Sequence, residues 1–141
     1  MNNVQNIIID DGLKEFTFSN NKGEVFAEFA FNPADTGLLE RYGKVVDAFN
    51  AIELKGDSEA DVEEYIKTLS DTFKEQFDYL LNRAVSEGLF RTYSPITIFA
   101  NGDFYAEVIL DQIGKIIEKE INVRIDKKAK KIEKYTKKYH K

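Results

Sequence analysis

Lys14-Glu15-Phe16-Thr17-Phe18-Ser19-Asn20-Asn21-Lys22-Gly23-Glu24-Val25-Phe26-Ala27-Glu28-Phe29-Ala30-Phe31 is the stretch that decides the fold class. In its first part Phe16 and Phe18 alternate with polar residues. In its last part Val25, Ala27, Phe29 and Phe31 share one parity. Period-2 alternation is the mark of a half-buried strand. Ser19 to Gly23 lies between, and its Asn and Gly residues tolerate the positive φ of a tight reversal. The stretch predicts a hairpin with one phenylalanine-rich face. Asp11-Gly12 supplies another turn, which makes Ile7 to Ile9 a candidate third strand. A two-stranded hairpin is marginal alone, so its apolar face needs a cover.

The residues that follow supply helices. Asn32-Pro33 is a start signal, because Asn can cap and Pro lacks the N–H that the first helical position leaves unpaired. Leu38, Leu39, Tyr42, Val45, Val46, Phe49 and Ile52 then fall on one stripe, and Lys55-Gly56-Asp57 reads as its stop. Ser58 with Asp61 is an acidic variant of the capping box. Val62, Ile66, Leu69, Phe73, Phe77, Leu80 and Ala84 run from there at near-heptad spacing to Gly88. That predicts a helix of about 28 residues and roughly 40 Å. Ser94-Pro95 repeats the capping logic before the apolar segment 96–100. A last helix carries Phe104, Val108, Ile109, Ile113, Ile116, Ile117 and Ile121. Beyond Ile125 the apolar residues thin out among lysines, an end expected to fray or to order against a partner. Gly37, Gly43 and Gly114 read as close-packing points within helices.

The expected fold class is therefore α+β, mainly α: a hairpin, with two or three short strands, followed by three to four helices. Residues 1–126 form a single globular domain, with strands within 7–31 and helices within 33–125, and 127–141 form a basic C-terminal helix end or tail.

Composition narrows the function. The 141 residues contain 43% hydrophobic and 32% charged side chains, a globular balance. There is no cysteine, which excludes disulfides, thiolate metal sites and a cysteine nucleophile. No positive charge or long apolar run marks the first residues, and no window is apolar enough to span a membrane, so a cytoplasmic location without membrane contact is expected. Net charge is −5 but unevenly spread. Residues 119–141 hold ten Lys or Arg against three acidic residues, about +7, which leaves about −12 for the rest. Such an end is either an arm for an acidic partner or a solvated helix end that complements its own macrodipole.

Catalytic chemistry finds no foothold. The single histidine, His140, lies one residue from the end, without a partner to fix its tautomer. Asp10-Asp11 and Glu63-Glu64 are adjacent pairs that point to different sides. The glycines form no phosphate-cradling pattern and the serines no nucleophile elbow. No cofactor or metal is expected. The lysine-rich end, Lys127, Lys128, Lys130, Lys131, Lys134, Lys137 and Lys138 with Tyr135 and Tyr139, admits phosphate neutralisation and base stacking. The acidic composition of the whole chain weighs against nucleic acid as its partner.

The positive signal is apolar surface. A helix of some 40 Å would outrun the body it packs on, leaving part of its stripe, Phe73, Phe77, Leu80 and Leu81, for self-association or a partner helix. Two segments carry a resemblance: Phe31-Asn32-Pro33-Ala34-Asp35-Thr36-Gly37-Leu38-Leu39-Glu40-Arg41 and Ile132-Glu133-Lys134-Tyr135-Thr136-Lys137-Lys138-Tyr139-His140-Lys141. With the hairpin and the long helix they resemble the tail assembly chaperones of phages and prophages of Gram-positive bacteria. The resemblance implies a protein that keeps the long helical tape measure protein, or another tail protein, in solution until tail subunits polymerise around it. A structural tail component, such as a ring or completion protein, and a nucleic-acid-binding regulator using the lysine arm are the alternatives.

Overall fold

The computed structural model describes residues 3–52 and 58–139, with side chains through Glu133. Lys55-Gly56-Asp57, His140 and the side chains of Lys134, Tyr135, Lys137, Lys138 and Tyr139 lie outside the described residues. The chain is α+β and mainly helical, with an antiparallel hairpin ahead of the helices.

Strands β1 (Lys14–Ser19) and β2 (Val25–Phe31) pair antiparallel, with Phe16 opposite Phe29 and Phe18 opposite Ala27. The reversal is built by Asn20, whose side-chain oxygen accepts from the amides of Lys22 and Glu24, and by Gly23 at φ 82°. A register shift beside Phe18 and Ser19 gives β2 one extra residue, Phe26. One extra residue breaks the alternation beyond it. Phe26 consequently packs on Tyr93 and Tyr105, at ring distances of 5.3 and 6.0 Å, while Val25 is left 44% exposed. The third strand expected at Ile7 to Ile9 does not form; residues 3–13 are irregular and pair with no strand.

Helix α1 (Leu38–Asn50) begins later than the Asn32-Pro33 signal predicts. Asn32 and Asp35 instead accept from the amides two residues on, those of Ala34 and Gly37. These local bonds hold turns that compete with the helix. Helix α2 (Glu59–Leu81) starts as expected, with the Ser58 hydroxyl accepting from the Asp61 amide at 3.2 Å. It ends well short of Gly88. Asn82 takes the left-handed conformation at φ 52°, and the Asp78 carboxylate receives the amides of Val85 and Ser86, each at 2.8 Å, and the Ser86 hydroxyl at 3.0 Å. The chain turns back there into the single-turn helix α3 (Ser86–Leu89). The 23 residues of α2 span about 34 Å rather than 40.

The segment after Ser94-Pro95 is not helical. It makes an isolated bridge between Ile98 and Phe104, and its Pro95 and Thr97 carbonyls take the amides of Ala106 and Tyr105. These amides open helix α4 (Tyr105–Tyr139), so the loop satisfies donors that every helix start leaves unpaired. Helix α4 runs on through the lysine-rich end to Tyr139. Good helix formers and the i,i+4 pairs Glu120–Arg124 and Asp126–Lys130 support it there.

The core lies where hairpin, α1, α2, α3 and α4 meet. Phe29, Phe31, Val45, Phe73, Phe77, Leu89, Tyr105, Ile109, Ile113 and Ile117 are buried in one cluster. Two glycines set its closest approaches. A β carbon on Gly88 would overlap the Glu28 carbonyl of β2, and one on Gly114 would overlap the Tyr42 ring of α1. Gly43, expected to mark such a contact, faces open space, and Gly37 precedes α1.

Candidate partner-binding surfaces

The α2 residues proposed as a contact surface are core. Phe73, Phe77, Leu80 and Leu81 are 1%, 0%, 0% and 2% exposed. Phe73 packs on Phe49 of α1 at 4.6 Å and on Phe104 at 5.9 Å; Phe77 meets Phe49 edge-on at 5.9 Å and Phe90 at 5.5 Å. The reading of a bare stripe is corrected by two facts. The helix stops at Leu81, and the segment turned back by Asp78 and Asn82 lays Val85 and Leu89 into the same core. The stripe forms the buried face of α2 from Leu69 to Leu80, whereas Ala84 lies beyond the helix and is exposed.

Phe31 to Arg41, the first of the two segments that carry the resemblance, is a joint between elements. Asn32 donates its side-chain amide to the Asp11 carbonyl at 2.7 Å, which ties the start of the hairpin to its end. Arg41 pairs with Asp35 and donates Nε to the Leu80 carbonyl at 2.9 Å, so α1 is fastened to the end of α2. The Arg41 hydrogen bond holds the Asp35 carboxyl below its ordinary range. Lys14 of β1 reaches Glu120 of α4 at 2.8 Å, with Arg124 at 2.7 Å on the same carboxylate. The Lys14 bond, then that of Arg124, lowers the Glu120 pKa.

Apolar side chains reach solvent singly on the body, at Val25, Leu39, Tyr79 and Ile98, and in series on two elements. Beyond Arg124 of α4 every described side chain, from Ile125 to Glu133, is exposed. This exposed stretch of nine residues projects over about 13 Å of helix. Val123 is 43% and Ile125 62% exposed, and Ile132 is also exposed. Lys127, Lys128, Lys130 and Lys131 lie on this projection, with Lys130 paired to Asp126 at 3.1 Å. At 100° per residue, Ile121, Ile125, Ala129 and Ile132 share one face with Lys128 at its edge, Lys131 lies on the flank, and Lys127 and Lys130 lie on the far side. The second element is the N-terminal arm, where Val4, Ile7, Ile8 and Ile9 are 76–90% exposed. Three consecutive isoleucines, a candidate strand by sequence, are the signal that this arm carries apolar surface outward.

Two open grooves of about 400 Å³ flank the hairpin. One runs between β2 and the α2–α3 turn, lined by Arg83, Glu87 and Arg91 among others; the second lies over Glu15, Thr17, Glu28 and Ala30 on the outer side of the sheet. Among the described residues no group of three or more carboxylates or imidazoles converges to hold a metal ion. None of the described helices is long and apolar enough to cross a membrane. In comparisons with known proteins, no family model, no curated protein and no solved structure matches the chain.

Proposed function

We propose that this chain is a non-enzymatic protein-binding protein with the role of the tail assembly chaperones it resembles, holding a long helical partner such as the tape measure protein in solution. The observation that carries the reading is the projecting stretch of α4. It offers an exposed apolar strip bordered by Lys128, while Phe73, Phe77, Leu80 and Leu81 of the body are buried. An amphipathic target helix with acidic flanks meets both features of such a surface. The contacts are few and partly ionic, which suits a complex that must later be given up to polymerising tail subunits. The acidic remainder of the chain keeps a loaded complex soluble.

The test is co-expression with the long tail protein encoded beside it, comparing the full chain with a variant ending at Asp126. Partner recovered in the soluble fraction with the full chain, and lost with the shortened one, supports the reading. Equal aggregation of the partner with and without this protein refutes it.

A further inference from the structure

We propose that the N-terminal arm, residues 4–9, adds as a third strand to the β1 edge of a second copy of this chain. Both halves of the contact are on the molecule. The arm carries Val4, Ile7, Ile8 and Ile9, each at least 76% exposed, and residues 3–9 bear no charged side chain. Branched apolar residues favour strands, and leaving four of them in water is unfavourable by their full burial energy.

The receiving edge is β1. Its sheet has two strands, and among the described residues no backbone hydrogen bond reaches β1 from any segment but β2. The Glu28 carbonyl faces Gly88, away from β1. In an antiparallel pair the residue opposite then points its own N–H and C=O to the other side, so Thr17 offers both at the free edge. The apolar face is unfinished there as well. Phe29 and Phe31 of β2 are buried, whereas Phe16 and Phe18 of β1 are only partly covered. A strand laid beside β1 with Ile7 and Ile9 on the inner face would close over those two rings.

The arm is held away from its own β1. To lie along it, the chain would have to reverse at Asp10 to Gly12. There Asn32 bonds the Asp11 carbonyl, Asp10 and Asp11 accept the amides of Gly12 and Leu13, and Gly12 sits close to Asn32, Ala34 and Arg124. An arm fixed at its root and an edge it does not pair with in its own chain are satisfied together by exchange between copies. This inference stands apart from the proposed function, since neither α4 nor a foreign partner enters it.

Sedimentation equilibrium on the full chain tests it, alongside Ile7→Asp/Ile9→Asp and Thr17→Pro variants. The proline removes one outward N–H, a change tolerated on edge strands. Because the natural chain has no cysteine, oxidation of a mixture of Ile8→Cys and Thr17→Cys proteins reports contact between copies without background. The expected result is self-association of the full chain, weakened at least about tenfold in both variants at unchanged helix content, with a disulfide joining two chains. A full chain that stays monomeric overturns the proposal, as does association unaltered by the isoleucine changes. A doubly substituted Ile8→Cys/Thr17→Cys chain that closes its disulfide within itself shows the arm on its own edge and overturns it equally. Should Thr17→Pro unfold, the arm variant, whose changes lie outside the core, still decides.

Discussion

Phe77→Ala separates a core residue from a contact residue most sharply. The ring is fully buried, edge-on to Phe49 and Phe90, and sits where α1, α2 and the segment after α3 converge. Truncation removes the transfer energy of a benzyl group and leaves a cavity that three elements cannot all close. Substitutions of this kind cost about 3–5 kcal/mol. Against a total of roughly 5–15 kcal/mol for a domain, that is a large fraction. Urea unfolding followed by far-UV circular dichroism measures it directly. With a denaturant slope of about 2 kcal/mol per molar, the midpoint should fall by roughly 2 M, and Tm by some 10–20 °C. Ile125→Ala, on the exposed stretch of α4, is the control and should stay within about 0.5 kcal/mol of the parent. A Phe77→Ala protein that keeps its stability within about 1 kcal/mol of the parent, yet loses its partner, would refute the placement of α2 in the core.

Three further outcomes follow from single contacts. Gly88→Ala places a β carbon against the Glu28 carbonyl, and because a backbone atom cannot swing aside, β2 and α3 must separate; a loss of about 1–3 kcal/mol in urea unfolding is expected, and none would contradict the close approach. Asp78→Ala leaves the Val85 and Ser86 amides without their acceptor at the end of α2 and should cost about 1–3 kcal/mol, with hydrogen exchange faster at those two amides; unchanged exchange there would contradict the capping role. Glu120 is held below its ordinary pKa of 4.5 by Lys14 and Arg124, so its contribution is present above that value and disappears as pH falls through the lowered one. Glu120→Gln should therefore flatten the dependence of Tm on pH below about 4.5, and an identical acid limb in both proteins would count against the pair.

Much of the architecture was legible in local pattern. Phe16, Phe18, Phe29 and Phe31 named the inner face of the hairpin, Ser58 the start of α2, and the stripe of Ile109, Ile113 and Ile117 the buried face of α4. Other features were set by single side chains whose role depends on distant neighbours. Asp78 is one more acidic residue on an amphipathic helix until it turns to collect the Val85 and Ser86 amides. Asn32 and Asp35 looked like the opening of a helix and instead hold turns. Phe26 reaches Tyr105, far along the chain, because a bulge turns it inward.

The amino-acid order by itself determined that a phenylalanine-faced hairpin precedes amphipathic helices, that no thiol chemistry is available, and that positive charge gathers at one end. Periodicity records which face of an element is apolar, because that is a property of neighbouring residues. It does not record what lies opposite. Only the tertiary structure decided that Phe73, Phe77, Leu80 and Leu81 are covered while Ile7 to Ile9 and Ile125 are not, since burial depends on which elements close over which, and that is settled by contacts between residues far apart in the chain.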